Sequence, residues 1–179
     1  MRKSDLAIFC DFDGTISSLD VSDVLLEKLA DPKWLEIEAA WLRGEIGSGE
    51  CMRKQFRLIR GGWKACEKLA QAIQIDPTFR SFASWCRESG IKLFVVSEGA
   101  DQVIYSILHR EGIVVDGIWA NELHETENGN IRLKKPCFNS VKGCKSGVCK
   151  CSVLKRVGGK SFRVVIGDGM SDHCWANKA

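Results

Sequence analysis

The sequence predicts an α/β fold built on a parallel sheet, and three observations carry the prediction. Short, mostly apolar runs at residues 7–10, 91–96 and 161–166 have strand length. Each ends abruptly in a polar cluster: Asp11-Phe12-Asp13-Gly14-Thr15, Ser97-Glu98-Gly99 and Gly167-Asp168-Gly169-Met170-Ser171-Asp172. Stretches with apolar residues at helical spacing alternate with these runs, the order that builds a parallel sheet with crossover helices. Finally, the helical block between the first and second runs, residues 17–76, is too long for one crossover and reads as an insertion.

The elements follow in chain order. After the first strand, Val21, Val24, Leu25 and Leu29 recur at helical spacing behind Asp20, a suitable N-terminal helix cap. Trp34, Ile37 and Trp41 mark a second helix, broken by Gly44 to Gly49. Met52, Phe56 and Ile59 mark a third, broken by Gly61-Gly62, and Ala65, Leu69, Ala72 and Ile73 a fourth. Asp76-Pro77 opens a fifth, with Asp as cap and Pro in the first turn; Phe79, Phe82 and Trp85 line it and Gly90 ends it. The strand 91–96 closes at Ser97-Glu98-Gly99. Val103, Ile104, Ile107 and Leu108 form the next helix. Residues 118–123 and 131–134 pair as a hairpin around Asn128-Gly129, a strong turn pair. A Cys-rich loop, a helix from Lys150 and the last strand complete the order.

Bulk properties exclude several classes. With 179 residues the chain holds one core domain plus a modest insertion. Its hydrophobic content is that of a globular protein. A net charge of +3 does not argue for nucleic acid. Between Asn128 and Gly167 the chain carries no acid but ten Lys or Arg, read either as a solvated face or as a rim attracting anions. The apolar stretch after Met1 is too short for a signal peptide, and no run has the length of a membrane span, so a cytoplasmic location is expected.

In a parallel sheet, the three polar clusters lie along one edge, where such sheets keep their ligands. Asp11, Asp13, Ser97, Asp168 and Asp172 then converge with a lysine near the start of the helix before the last strand. Four carboxylates in one place repel one another unless a cation holds them charged, and an all-oxygen donor set suits Mg²⁺. Two acids two residues apart can also divide into nucleophile and proton shuttle.

These clusters, with Lys150, resemble the four motifs of the haloacid dehalogenase superfamily, in the order of its phosphoserine-phosphatase-like branch. The likeness covers nearly the whole chain. It implies a Rossmann-like core, 1–16 and 77–179, with a helical cap, 17–76, between the first and second motifs. It implies a Mg²⁺-dependent phosphomonoesterase acting on a small phosphorylated metabolite, with no nucleic-acid or membrane partner. Asp11 becomes the nucleophile and Asp13 the acid–base group. Mg²⁺ lies on Asp11, the Asp13 carbonyl, Asp168 and Asp172. Ser97 and Lys150 bind the phosphoryl group, with Gly14, Glu98 and Gly99 shaping the loops around it. Lys150 is preferred to Lys145, Lys155 and Lys160 because Lys150-Cys-Ser-Val-Leu-Lys155 resembles the third motif. Family members continue past this point into a further strand, so the chain is expected to lack a C-terminal piece and to expose a sheet edge.

The loop with Cys137, Cys144, Cys149 and Cys151 resembles that of methionine-salvage phosphatases in this branch. It departs in cysteine spacing, and Ser97-Glu98-Gly99 stands where those relatives carry Ser-Gly-Gly. Nine cysteines, scattered and odd in number, read as free thiols in a reducing compartment. Structural zinc at Cys137, Cys144, Cys149 and Cys151, with His124 as a substitute ligand, is the minor reading, because no Cys-x-x-Cys knuckle is present. Trp34, Trp41, Phe56 and Trp63 are expected to form the core of the helical block, and Glu27, Arg53 and Arg57 are its candidate substrate contacts. Phosphoserine phosphatase, phosphotransferase, and a metal- or RNA-binding protein on an inactive scaffold are the competing functions.

Overall fold

The computed structural model describes residues 6–136, 141–157, 159 and 162–179. Among these residues, five strands form one sheet in the order β4-β3-β2-β1-β5. They are β1 (Leu6–Cys10), β2 (Lys92–Ala100), β3 (Gly117–Glu125), β4 (Ile131–Lys134) and β5 (Phe162–Ile166). β1 lies parallel to both β2 and β5, β2 lies parallel to β3, and only β4 runs antiparallel, through the expected hairpin. The period of two along β1 sorts its side chains between the faces. Ile8 and Cys10 join the larger core, and Ala7 and Phe9 join a second core with Val96, Val153, Leu154 and Trp175.

The helices between β1 and β2 are α1 (Val21–Leu29), α2 (Trp34–Leu42), α3 (Ser48–Phe56), α4 (Gly62–Ala70) and α5 (Phe79–Glu88). The chain enters and leaves the first four side by side: Ser17 and Ile75 form an isolated bridge, and the Asp76 N–H donates to the Ile16 carbonyl at 2.9 Å. α6 (Asp101–Arg110) connects β2 to β3, and α7 (Lys150–Val157) precedes β5. A 3₁₀ turn at Met170–Asp172 leads into α8 (His173–Ala176).

Several boundaries differ from expectation. β2 does not close at Ser97 but continues to Ala100, with a register shift against β3 between Val96 and Ala100. α5 starts at Phe79, because Asp76 Oδ1 accepts from the Thr78 N–H at 2.7 Å and turns the chain before the helix begins. Ile59 and Ile73 fall beyond the ends of α3 and α4; Ile59 instead bridges Ala30. Trp41, expected in the core of the helical block, is 39% exposed. β5 is an edge of the sheet among the described residues, and its Phe162, Val164 and Ile166 are exposed.

Candidate active site

β1 ends at Cys10, so Asp11 emerges at the carboxyl edge of the sheet. Its N–H still donates to the Ile166 carbonyl of β5 at 2.8 Å. That hydrogen bond fixes the first acid beside the end of β5, from which Asp168 and Asp172 follow. Asp11, Asp168 and Asp172 each bring a carboxylate oxygen within 4.8 Å of the others. This is the separation that oxygen ligands of one cation require. The close approach needs glycine twice. Gly14 has φ +71°, and a Cβ there would meet Asp168 Oδ2 at 2.4 Å; a Cβ at Gly167 would meet Asp172 Cγ at 2.4 Å.

Lys150, at the first turn of α7 and 4% exposed, reaches between two of these acids. Its Nζ lies 2.8 Å from Asp11 Oδ2 and 2.6 Å from Asp172 Oδ1, and donates to Ser171 Oγ at 3.1 Å. Three acids against one ammonium leave net negative charge, so the donor set fits a hard divalent cation. Two partners of the acids went unassigned in the sequence. Thr15 Oγ1 donates to Asp168 Oδ1 at 2.7 Å, and buried Trp175 donates from Nε1 to Asp172 Oδ1 at 2.7 Å. Trp175 stands three residues after Asp172, the spacing of one helical face, which is the signal that could have found it.

Asp13 points elsewhere. Its Oδ1 accepts from the Val21 N–H, the start of α1, at 2.9 Å, and its Oδ2 accepts from Ser97 Oγ at 3.1 Å. Burial pushes its pKa up to about 7, helped by the negative charge of Asp20 and opposed by the Val21 hydrogen bond. Burial also pushes Asp11 up, to about 6, with Lys150 opposing. Ser97 in turn accepts from the Gly99 N–H at 2.8 Å. Glu98 lies in the wall of the cavity that the acids also line. Its Oε2 accepts from Ser48 Oγ at 2.7 Å and from the Gly147 N–H at 3.1 Å.

Above these groups lies a cavity of about 800 Å³. Asp11, Asp13, Lys150 and Asp168 form part of its lining, and the helical block supplies Asp20, Asp23, Glu38, Trp41, Cys51, Met52 and Gln55. Glu27 and Arg53 are not among the lining residues, and Arg57 lines a separate cavity beside Asp31 and Glu125. On this side the cavity wall is made instead by the Asp20 cap and by residues of α1, α2 and α3.

The zinc reading finds no support. Cys137 lies outside the described residues. Among the described residues, the carboxylates above are the one group of three or more metal-binding side chains brought this close together. Cys149 Sγ accepts from the Val141 N–H, whereas Cys151, one residue into α7, turns toward Cys174. Lys155 is exposed on α7, Lys145 is exposed and offers its carbonyl to the Gly49 N–H, and Lys160 is outside the described residues.

Residues 8–177 match the family model of haloacid dehalogenase-like hydrolase. The bifunctional enzyme MtnB/MtnX of Bacillus licheniformis is 35% identical over 178 residues, covering 96% of this chain and 40% of that protein. A 2-hydroxy-3-keto-5-methylthiopentenyl-1-phosphate phosphatase of Geobacillus kaustophilus is 32% identical over 184 residues, covering 97% of this chain and 80% of that one. Among solved structures, phosphoserine phosphatase from T. onnurineus superposes with a TM-score of 0.73 at 20% identity, over 99% of this chain and 82% of that one. That likeness is one of fold. Among the described residues, no helix is long and apolar enough to cross a membrane.

Proposed function

The chain belongs to the haloacid dehalogenase-like hydrolase family and is a phosphatase of that family, and from this premise we propose that it hydrolyses a small phosphorylated metabolite through an aspartyl-phosphate on Asp11. The observation that carries the reading is the division of labour between the two acids. Asp11 shares the Lys150 ammonium with Asp172, and Asp13, two residues on, is held apart by Val21 and Ser97.

Asp11 attacks phosphorus as a carboxylate and displaces the alkoxide. Asp13, with its pKa raised to about 7, gives a proton to that alkoxide and then takes one from the water that cleaves the acyl phosphate. Lys150 offsets the repulsion between an anionic nucleophile and an anionic phosphate. Ser97 turns its hydroxyl from Asp13 to a phosphoryl oxygen. Asp11, the Asp13 carbonyl, Asp168 and Asp172 would hold Mg²⁺, which when bound supplies Lewis-acid neutralisation of the phosphoryl oxygens. The helical block 17–76 acts as the cap that covers the site.

The cavity lining also bears on the leaving group. Among the described residues lining it, Lys150 is the single cation, and it is already paired. The carboxylate of phosphoserine would find no unpaired cation there, and only its ammonium would be matched by Asp20, Asp23 and Glu38. Trp41 and Met52 instead offer an aromatic face and a thioether, which suit an uncharged, sulfur-bearing chain. This favours a methionine-salvage substrate such as the 2-hydroxy-3-keto-5-methylthiopentenyl-1-phosphate of the relatives, in the cytoplasm, over phosphoserine. Initial rates on that compound, phosphoserine and an aryl phosphate, with and without Mg²⁺, test the proposal. It predicts a Mg²⁺ requirement throughout and the highest kcat/KM on the methylthio ester; a preference for phosphoserine would overturn the substrate assignment.

A further inference from the structure

Beside the site lies a pair of sulfurs that the proposed reaction does not use. Cys151 follows Lys150 in α7 and is buried, and Cys174 is exposed on α8. Their Sγ atoms stand 2.7 Å apart, closer than two unbonded sulfurs rest and approaching the bonding distance of about 2.05 Å. Lys178 Nζ lies 3.6 Å from Cys151 Sγ, on the stretch of chain that carries Cys174. Cys144 and Cys149 make a second thiol contact in the loop before α7, and Cys10, Cys51, Cys66 and Cys86 are buried on other elements.

We propose that Cys151 and Cys174 are an oxidative modification site, forming a reversible disulfide that staples α7 to α8 when the protein meets a hydroperoxide. The hydrogen bond to Cys151 pushes the Cys174 thiol up to about 11, so it is the small thiolate fraction of this exposed sulfur, its proton released to solvent, that attacks the terminal peroxide oxygen. The O–O bond breaks, the sulfur becomes a sulfenic acid, and the departing oxygen leaves as water or alcohol with a proton from solvent. Cys151 Sγ then attacks the sulfenic sulfur, the S–O bond breaks, and its proton leaves with the hydroxyl as water. Two thiols are oxidised by two electrons and one peroxide is reduced. A dithiol reductant reverses the bond by exchange. The staple joins the residue next to Lys150 to the helix whose Trp175 holds Asp172, so it fixes the lysine–aspartate pair in its present arrangement.

The test oxidises the full chain with stoichiometric hydrogen peroxide, blocks remaining thiols and maps peptides by mass. The expected product is a cross-link between the peptides holding Cys151 and Cys174, lighter by two hydrogens and restored by dithiothreitol. Its melting temperature should rise by several degrees over the reduced form, because a closed loop restrains the unfolded chain. The C174S variant, changed at an exposed position, should fold normally and show neither the cross-link nor the rise. Stable sulfinic acid at Cys174, or a cross-link from Cys151 to another cysteine, would overturn the proposal whatever the substrate of the phosphatase.

Discussion

Asp11 and Asp13 are two residues apart and meet different surroundings, and the difference sets testable behaviour. The folded-state pKa of Asp13 lies near 7, above that of an unfolded aspartate, so folding favours its protonated form. The stability this contributes is present at low pH and is lost as pH rises toward 7. D13N removes the titration. Its melting temperature in metal-free buffer should therefore exceed that of the unaltered protein at pH 8 by more than it does at pH 5, while turnover is lost. Equal differences at the two pH values would contradict the assignment. Gly14 makes a second case. Its φ is +71°, and an added methyl group would sit 2.4 Å from Asp168 Oδ2. G14A therefore adds backbone strain of about 1–2 kcal/mol and pushes Asp168 out of the acid group. Activity should fall at least about a hundredfold, by analogy with loss of one charge-stabilising group, measured as kcat at saturating Mg²⁺. At this scale the acids were legible in the sequence because an apolar run that stops at two carboxylates has few packing explanations. Thr15 and Trp175 were not, since a hydroxyl and an indole declare their partners only once the turn geometry is known.

At the scale of elements, Glu98 ties three pieces together. It sits in the irregular end of β2, where the register against β3 shifts, and its carboxylate binds Ser48 at the start of α3 and Gly147 in the loop before α7. The loop and the helix also touch directly: the Gly49 N–H donates to the Lys145 carbonyl at 3.2 Å, and a Cβ on Gly49 would meet Gly147 N at 2.4 Å. Asn121 of β3 donates to the Glu98 carbonyl and fixes the backbone beneath. E98A should lower stability by about 1–3 kcal/mol for the two lost charge-assisted hydrogen bonds. It should raise KM more than it lowers kcat, since α3 carries part of the cavity wall. Urea unfolding and steady-state kinetics check both, and S48A should reproduce a smaller share of each. The sequence showed Ser97-Glu98-Gly99 as a polar stop because glycine and acid usually end strands. The strand continues because Ser97 and Gly99 bond to each other and the bulge accommodates them.

Across the whole molecule, the parallel register of β1, β2 and β5 is what carries residues 11, 97 and 168 to one edge, and alternation of short apolar runs with helical spacing made that legible. The inward faces of the helical block were harder to read. Asp20 reads as a helix cap, Trp41 as core, and Asp23 and Glu38 as ordinary charges in a linear pattern, and only the folding of α1, α2 and α3 over the sheet turns them toward a cavity. There, burial and the charges of Asp20, Glu38 and Glu27 raise Asp23 to about 6. D23N should therefore leave hydrolysis of a small aryl phosphate nearly unchanged and improve KM for an ester with a carboxylate and no ammonium, such as phosphoglycolate, several-fold; an equal effect on both substrates would remove Asp23 from leaving-group selection. The central claim is that the phosphoryl group passes through Asp11. The most direct measurement is the mass of the protein after rapid acid quench with substrate and Mg²⁺, followed by peptide mapping. The account predicts a single phosphoryl adduct on the peptide containing Asp11, absent from D11N, which should also lose turnover. Full turnover by D11N, or an adduct on any other residue, would contradict it.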